Sequence, residues 1–281
     1  MKNYDKTIKN LESLVSNDFE KKLLHACFKN LQNENELRFN NFAYSIRELS
    51  RHFLKTLSPD NDVKKCVWYK NETKDINVIS RGERIKYAIQ GGLTDVFLNR
   101  EIVEIDYIND LKSKLVKSIE LLNKFTHVNE NTFDIPQTQI DKQCLQVISA
   151  FESFAEMIKE CRQIILSTLE DKITDEVIEK AMWEVSDDID ILATHHTINE
   201  IHVENHKLTI IESDEITIEA NGTIHVTLQY GSDGDLRRGD GHEMEDNFPF
   251  SSILKVKLAK KLEKSKVEIE SYKVDTDSWY E

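Results

Sequence analysis

Residues 223–250 read TIHVTLQYGSDGDLRRGDGHEMEDNFPF and join a strand-like segment to a loop rich in glycine and charge. From Ile224 to Tyr230 apolar and polar residues alternate, which is typical of a half-buried strand. Four of the eight glycines of the chain lie within residues 231–241. Because glycine accepts a positive φ and lets backbone come close to another group, we expect this loop to have a defined shape.

The same alternation recurs after Thr194, where the spacing of apolar residues changes from helical to strand-like. It is found in Ile201–Glu204, Leu208–Glu212, Ile216–Glu219, Leu254–Leu258 and Val267–Tyr272. The dipeptide Asn221-Gly222 favours a tight hairpin between two of these segments. The sequence therefore predicts a mostly antiparallel β domain over residues 194–281.

Before Thr194 the apolar residues recur at helical spacing. They predict helices over residues 4–34 with a break at 16–18, 35–57, from Ser80 to Gly91-Gly92, 106–126, 138–171 and 173–191. Ser80 and Glu83 have the spacing of a capping box, which marks the start of one of these helices. The sequence therefore predicts an antiparallel helical bundle over residues 1–193, and an α+β protein of two domains.

The composition limits the partners of the molecule. A net charge of -14 and a pI near 5.2 disfavour binding of nucleic acid or an anionic membrane to the molecule as a whole. Nucleic-acid binding would therefore need a local basic patch or a bound metal. No run of 18 apolar residues and no signal-peptide core are found, so we expect a soluble, cytoplasmic protein without a membrane partner. The sequence leaves the oligomeric state open.

The charged loop is the first candidate site. Carboxylates held by a glycine-rich turn can bind Mg²⁺ or Mn²⁺, and two-metal hydrolysis of a phosphodiester needs little more from a protein. The candidate metal ligands are Asp233, Asp235 and Asp240, the candidate catalytic residues are Asp240 and His242, and the candidate phosphate-binding residues are Arg237 and Arg238. The alternative is a solvated loop whose glycines form turns and whose charges serve solubility. The spacing matches neither a calcium-binding loop nor a zinc-protease helix.

His127 is the second candidate, together with Asn123, at the end of the helix predicted over residues 106–126. A histidine in this position can act as a general acid or base on an RNA 2′-hydroxyl. The alternative is that His127 caps the carboxyl end of the helix, where the dipole favours a cation.

Four helical arginines and four histidines are weaker candidates. Arg47, Arg51, Arg81 and Arg84 can form a phosphate-binding face, or they can pair with Glu48, Glu83 and Asp60. The histidines are His195, His196, His202 and His206, whose spacing matches no known metal site.

Two parts of the chain resemble one protein family. Residues 228–241 (LQYGSDGDLRRGDG) and 248–250 (FPF) resemble the C-terminal domain of bacterial predicted pPIWI-associating nucleases. The family's helical half is similar to the segments SIRELSRHFL at 45–54, RIKYAIQGG at 84–92 and LNKFTHV at 122–128. The resemblance implies a bacterial protein that acts against phages or plasmids. The family's nuclease activity is itself a prediction.

The helical half also resembles a HEPN domain. RNases of that class carry an arginine a few residues before a histidine on a late helix. In this chain His127 fits the histidine, but positions 120–122 hold Glu, Leu and Leu where the arginine would be. The resemblance therefore implies a HEPN-like scaffold without that catalytic pair.

Two functional hypotheses follow. The first is a metal-dependent nuclease of bacterial defence, with nucleic acid as its substrate and the charged loop as its site. The second is a binding or sensing module without catalysis, in which the same loop contacts another defence protein. The two differ in whether the loop carboxylates converge on one point.

Overall fold

The computed structural model describes residues 4–75, 77–183 and 187–280. A helical N-terminal region is followed by a four-stranded antiparallel sheet, so the predicted α+β class is confirmed. By its internal contacts the chain divides into two compact units, Met1–Arg162 and Gln163–Glu281. The division into domains at residue 193, which follows the change of period in the sequence, remains a prediction.

Helices form the first unit. They are α1 (Asp5–Leu11), α2 (Asp18–Gln32), α3 (Arg38–Leu57), α4 (Asp60–Lys65), α5 (Arg81–Gln90), α6 (Asp95–Glu101), α7 (Ile105–Asn123) and the first part of α8 (Gln137–Trp183). The break predicted at residues 16–18 is confirmed, because Asn17 Oδ1 accepts a hydrogen bond from Glu20 N and begins α2.

Local signals fix the ends of α5. Ser80 Oγ accepts from Glu83 N at 3.0 Å, and the Glu83 carboxylate accepts from Ser80 N, so the predicted capping box is confirmed. Gly91 follows the helix with a φ of 54°, a conformation that glycine adopts without strain. Helix α6 was not predicted from periodicity and begins at Thr94, whose hydroxyl accepts from Phe97 N.

Aromatic side chains fill the core of the first unit. Phe39 and Phe125 meet edge to face with ring centroids 4.9 Å apart, and Phe53 meets Phe151 in the same way at 5.8 Å. All four side chains are fully buried. Trp68 packs against a buried cluster that includes Val63 and Tyr87, and it donates from Nε1 to the carbonyl of Gly91 at 2.7 Å.

Helix α8 is continuous from Gln137 to Trp183, so the prediction of separate helices over 138–171 and 173–191 is wrong. The buried residues Ile165, Leu169, Ile173, Val177 and Ala181 continue one stripe through the expected break. Neither glycine nor proline occurs between them, so nothing ends the helix there. Residues 184–186 lie outside the described residues, and a short helix α9 (Asp187–Asp190) follows.

The second unit contains the sheet. Its strands are β1 (His195–Ile211), β2 (Glu215–Tyr230), β3 (His242–Lys257) and β4 (Lys266–Val274), and they lie in this order. All neighbouring strands are antiparallel, so the predicted antiparallel β structure is confirmed. A short helix α10 (Asp233–Arg238) connects β2 to β3. Lys172 of α8 donates to the carbonyl of Ser265 at 2.9 Å and links the helix to the start of β4.

The hairpin predicted at Asn221-Gly222 is wrong. These residues lie in the middle of β2, where Gly222 is paired with Val203 on one side and Phe250 on the other. A Cβ at this position would lie 1.9 Å from the carbonyl oxygen of His202. Glycine is therefore required by the close approach of two strands, and the turn between β1 and β2 lies instead at residues 213–214.

Alternation along the strands gives the sheet one buried face. The even-numbered residues from Ile216 to Leu228 in β2 and from Phe248 to Val256 in β3 are buried. All four cysteines are buried, and burial raises the pKa of Cys27 and of Cys161 to about 12. None of the described helices combines the length and the apolar character that a membrane-spanning segment needs.

Candidate functional site

The charged loop is built around the short helix α10. Ser232 begins the helix by a capping box: its Oγ accepts from Asp235 N at 3.2 Å, and Asp235 Oδ2 accepts from Ser232 N at 2.8 Å. The expectation of a shaped loop is confirmed, although much of the predicted loop is helical. The capping box gives the Asp235 carboxylate a structural role.

Three glycines allow the chain to enter and leave α10. Gly231 and Gly239 have φ values of 93° and 81°, which other residues rarely adopt. Gly241 packs against Leu236, so that a Cβ would lie 2.9 Å from the Leu236 nitrogen. The glycines that mark this segment in the sequence therefore serve the backbone.

Arg238 lies among carboxylates. Its Nη2 donates to Asp235 Oδ1 at 2.6 Å, and its Nε is 3.7 Å from Asp240 Oδ2. Hydrogen bonds from the hydroxyl and the N–H of Ser232, and then from Arg238, hold the pKa of Asp235 below its ordinary value. Arg238 was predicted to bind phosphate, and in the structure its guanidinium is paired within the loop.

The remaining loop residues face solvent. The Asp233 carboxylate accepts from Gln229 Nε2 at 3.1 Å, and Arg237 is exposed on the last turn of α10. The Asp240 side chain is 73% exposed, and His242 is exposed at the first position of β3, opposite Tyr230. The structure thus brings Asp235, Arg238 and Asp240 together.

Metal binding by the loop would need several side chains whose oxygen or nitrogen atoms converge on one ion. Among residues 4–75, 77–183 and 187–280, no three His, Cys, Asp or Glu side chains are grouped so that they could hold a metal ion. The set Asp233, Asp235 and Asp240 is included in that statement. A role of these residues in binding Mg²⁺ or Mn²⁺ therefore stays a prediction that has no preformed ligand cluster to support it.

His127 lies beyond the helix that was predicted to carry it. Helix α7 ends at Asn123, and the side chain of His127 is exposed. Its backbone carbonyl accepts from Thr132 Oγ1 at 3.0 Å, which shapes the turn after the helix. Asn123 Oδ1 accepts from Arg47 Nε at 2.7 Å, so Asn123 contacts an arginine of α3. Catalysis by His127 stays a prediction.

Three of the four helical arginines have internal partners. Arg84 is largely buried and donates to the Ser58 carbonyl and to Asp60 Oδ1, at 2.6 and 2.7 Å. Arg47 and Arg51 both pair with Glu48. This geometry fits the ion-pair alternative, while Glu83 is used in the capping box instead.

The chain is similar to one protein family along most of its length. Two family models, both described as predicted pPIWI-associating nuclease, match residues 12–151 and 158–280. The chain matches this family in both of its halves. A search of curated proteins and a search of solved structures found no match. The match to this family thus supports a nuclease-like function. The description of the family assigns no role to any single residue.

One polar feature of the sheet is not evident from the sequence. His206, Ala220, Ser252 and Tyr272 are paired in turn across all four strands. His206 Nε2 and Tyr272 Oη are buried, and neither has a hydrogen-bond partner among the described residues. Burial lowers the pKa of His206, an effect that Glu170 opposes, and raises that of Tyr272 to about 12. Only the strand register reveals this row.

Proposed function

We propose that the protein is a nuclease-like protein of bacterial defence against mobile elements, in which the charged loop binds a partner protein. The protein acts in the cytoplasm and meets another defence protein there. The family match supports the nuclease-like class, and the geometry of the loop supports a contact surface over a metal site.

The observation that carries this proposal is the use of Asp235. One carboxylate oxygen accepts from Ser232 N and Oγ, at 2.8 and 2.6 Å, and the other accepts from Arg238. A metal ligand needs an oxygen lone pair directed at the ion. To bind a metal, Asp235 would have to leave both the helix cap and the arginine.

The outer side of the loop is suited to a partner of mixed charge. Arg237, Asp240 and His242 are exposed, so both signs of charge are offered within a few residues. Charged groups at the rim of an interface contribute to specificity and to the rate of association. The fixed backbone of the loop lowers the entropy that binding would cost.

Metal-dependent phosphodiester hydrolysis is the second candidate function. The word nuclease in the family description favours it, and so does the exposure of Asp240 and His242 next to Arg237. Under this candidate Mg²⁺ or Mn²⁺ is held only when a nucleic acid or a partner protein completes the ligand set.

A cleavage assay separates the two functions. The purified protein is incubated with single- and double-stranded DNA and RNA in Mg²⁺ or Mn²⁺. It is compared with the double variant Asp240→Ala, His242→Ala and with the control Glu219→Ala, His225→Ala on β2. The proposal predicts that the double variant and the control behave alike. Metal-dependent cleavage that only the Asp240→Ala, His242→Ala variant loses would establish the second candidate.

A plaque assay tests the proposed contact with the partner protein. The cells carry the gene of this protein together with the genes that lie next to it in its native genome. Arg237→Glu reverses a charge on the outer side of the loop and is expected to remove protection against phage. The control Glu219→Lys reverses a charge on β2, outside the loop, and is expected to retain most protection. Loss of protection in this control but not in Arg237→Glu would contradict the proposal.

A further inference from the structure

Strand β3 is longer than its neighbour β4. The two strands pair from Phe250 to Lys257, whereas β3 begins at His242. Residues 242–248 are paired with β2 on one side only. In the part of the chain that the structure describes, no strand pairs with the other side.

The direction of the backbone groups shows which residues face this side. The carbonyl of Pro249 accepts from Asp275 N at 2.8 Å, on the side of β4. Along a strand the N–H and C=O groups turn alternately to the two neighbours. Glu243, Glu245 and Asn247 therefore direct their backbone groups outward, and these three residues define the open edge.

Part of the open edge is already blocked. Asn247 N donates to the carboxylate of Asp246 at 2.8 Å, and Pro249 has no N–H. The outward N–H groups of Glu243 and Glu245 remain for pairing, together with the three outward carbonyls. An additional strand can thus be added along residues 243–247.

The charge of the open edge selects its occupant. The side chains of Glu243 and Glu245 are exposed on one face, and Asp246 lies on the other face beside them. The chain carries a net charge of -14, so a second copy of this edge or a nucleic acid would be repelled. Lysine and arginine opposite the two glutamates would instead form favourable cross-strand pairs.

We propose that the open edge binds an extended, lysine- or arginine-rich segment of a partner protein, which adds to the sheet as a strand next to β3. Backbone hydrogen bonds to Glu243 and Glu245 give the affinity, and basic side chains opposite these glutamates fix the register. The inference rests on the proposed partner-binding function, but its surface is the edge of β3 and not the outer side of α10.

A peptide-binding experiment tests this inference on the full chain. The probe is a labelled peptide with alternating lysine and threonine, Lys-Thr-Lys-Thr-Lys-Thr-Lys. A second peptide of the same sequence, N-methylated at each backbone nitrogen, keeps the charge but has no backbone N–H to donate to β3. The first peptide is expected to bind and to protect the amides of Glu243 and Glu245 from hydrogen exchange, while the N-methylated peptide is not.

Two variants separate backbone pairing from charge. Glu245→Pro removes an outward N–H without touching the pairing of β3 with β2. Glu243→Lys with Glu245→Lys reverses the charge, and the matched control Glu200→Lys with Glu204→Lys makes the same change on β1. The edge variants are expected to weaken binding at least about tenfold, through lost backbone and charge pairs. The control is expected to stay within about twofold, as for exposed charges away from a contact.

Three results would overturn the inference: equal binding of the two peptides, equal weakening by the edge variants and the control, or no protection of Glu243 and Glu245. Each would indicate that the acidic edge only prevents unwanted strand pairing. Such a failure leaves the plaque assay on Arg237 unaffected, so the proposed function would be judged separately.

Discussion

Arg238 and Asp235 are joined by a hydrogen bond of 2.6 Å from Nη2 to Oδ1, across one turn of α10. The other oxygen of Asp235 accepts from Ser232, which begins the same helix. The most charged segment of the chain therefore uses its central carboxylate to fix its own backbone. The side chains that other molecules can contact are those on its outer side, Arg237, Asp240 and His242.

Replacement of Asp235 is expected to loosen the loop. Asp235→Ala removes the capping box and the partner of Arg238, so the amides of residues 231–241 should exchange faster with deuterium. Asp233→Ala is the matched control, because the Asp233 carboxylate accepts a hydrogen bond from the Gln229 side chain and takes no part in the capping box. Equal exchange in the two variants would contradict a structural role of Asp235.

Gly222→Ala is expected to destabilise the sheet. The new Cβ would lie 1.9 Å from the His202 carbonyl oxygen and 2.8 Å from the Phe250 ring, so two strands must separate. We expect the free energy of unfolding to fall by about 3 kcal/mol in a urea titration. Gly234→Ala, whose Cβ meets nothing closer than 3.4 Å, should change it by less than about 1 kcal/mol. Similar losses in both variants would refute the close-approach explanation.

Stability should fall in mild acid because of His206. Burial lowers its pKa in the folded protein below the ordinary value of 6.5, so the unfolded chain binds the proton more readily. The stability that the protein has while His206 is neutral is fully present above pH 6.5. It is lost as the pH falls below 6.5 and through the pKa of His206 in the folded protein.

The measurement for His206 is the free energy of unfolding as a function of pH. His206→Gln should flatten the curve below pH 6.5. Glu170→Gln should steepen it, because Glu170 is the group that favours the charged imidazole. A curve that is unchanged in His206→Gln would show that other groups cause the acid sensitivity.

Arg84 is expected to be a structural residue. Its guanidinium is 15% exposed and is bound to Ser58 and Asp60, so Arg84→Ala should lower the free energy of unfolding by about 2 kcal/mol. Arg51→Ala should change it by less than about 1 kcal/mol, because Arg51 is 65% exposed. The comparison by chemical denaturation would fail if both variants lost the same stability.

Local signals in the sequence were sufficient for many element ends. Asn17, Ser80 with Glu83, and Gly91 act through hydrogen bonds or φ values within a few residues, so no knowledge of the fold is needed to place them. The alternation in β2, and in β3 from Leu254 onward, likewise predicted which residues are buried, because one face of the sheet is covered.

Features that depend on strand register could not be predicted. Asn221-Gly222 has the composition of a hairpin turn. However, glycine is required at position 222 because His202 and Phe250, which are distant in sequence, lie too close to it for a side chain. The candidate site shows the same limit. The sequence identified the charged loop and its fixed backbone, whereas the partners of Asp235 and the open edge of β3 became evident only with the structure.

The central claim is that the charged loop is occupied by its own contacts and is not a preformed metal site. Titration with Mn²⁺, followed by the paramagnetic broadening of amide signals, tests it directly. With one Mn²⁺ per chain, we expect residues 231–242 to broaden no more than the exposed acidic residues Glu200 and Glu204 of β1. Selective broadening of residues 233–242 that the Asp240→Ala variant removes would contradict the claim.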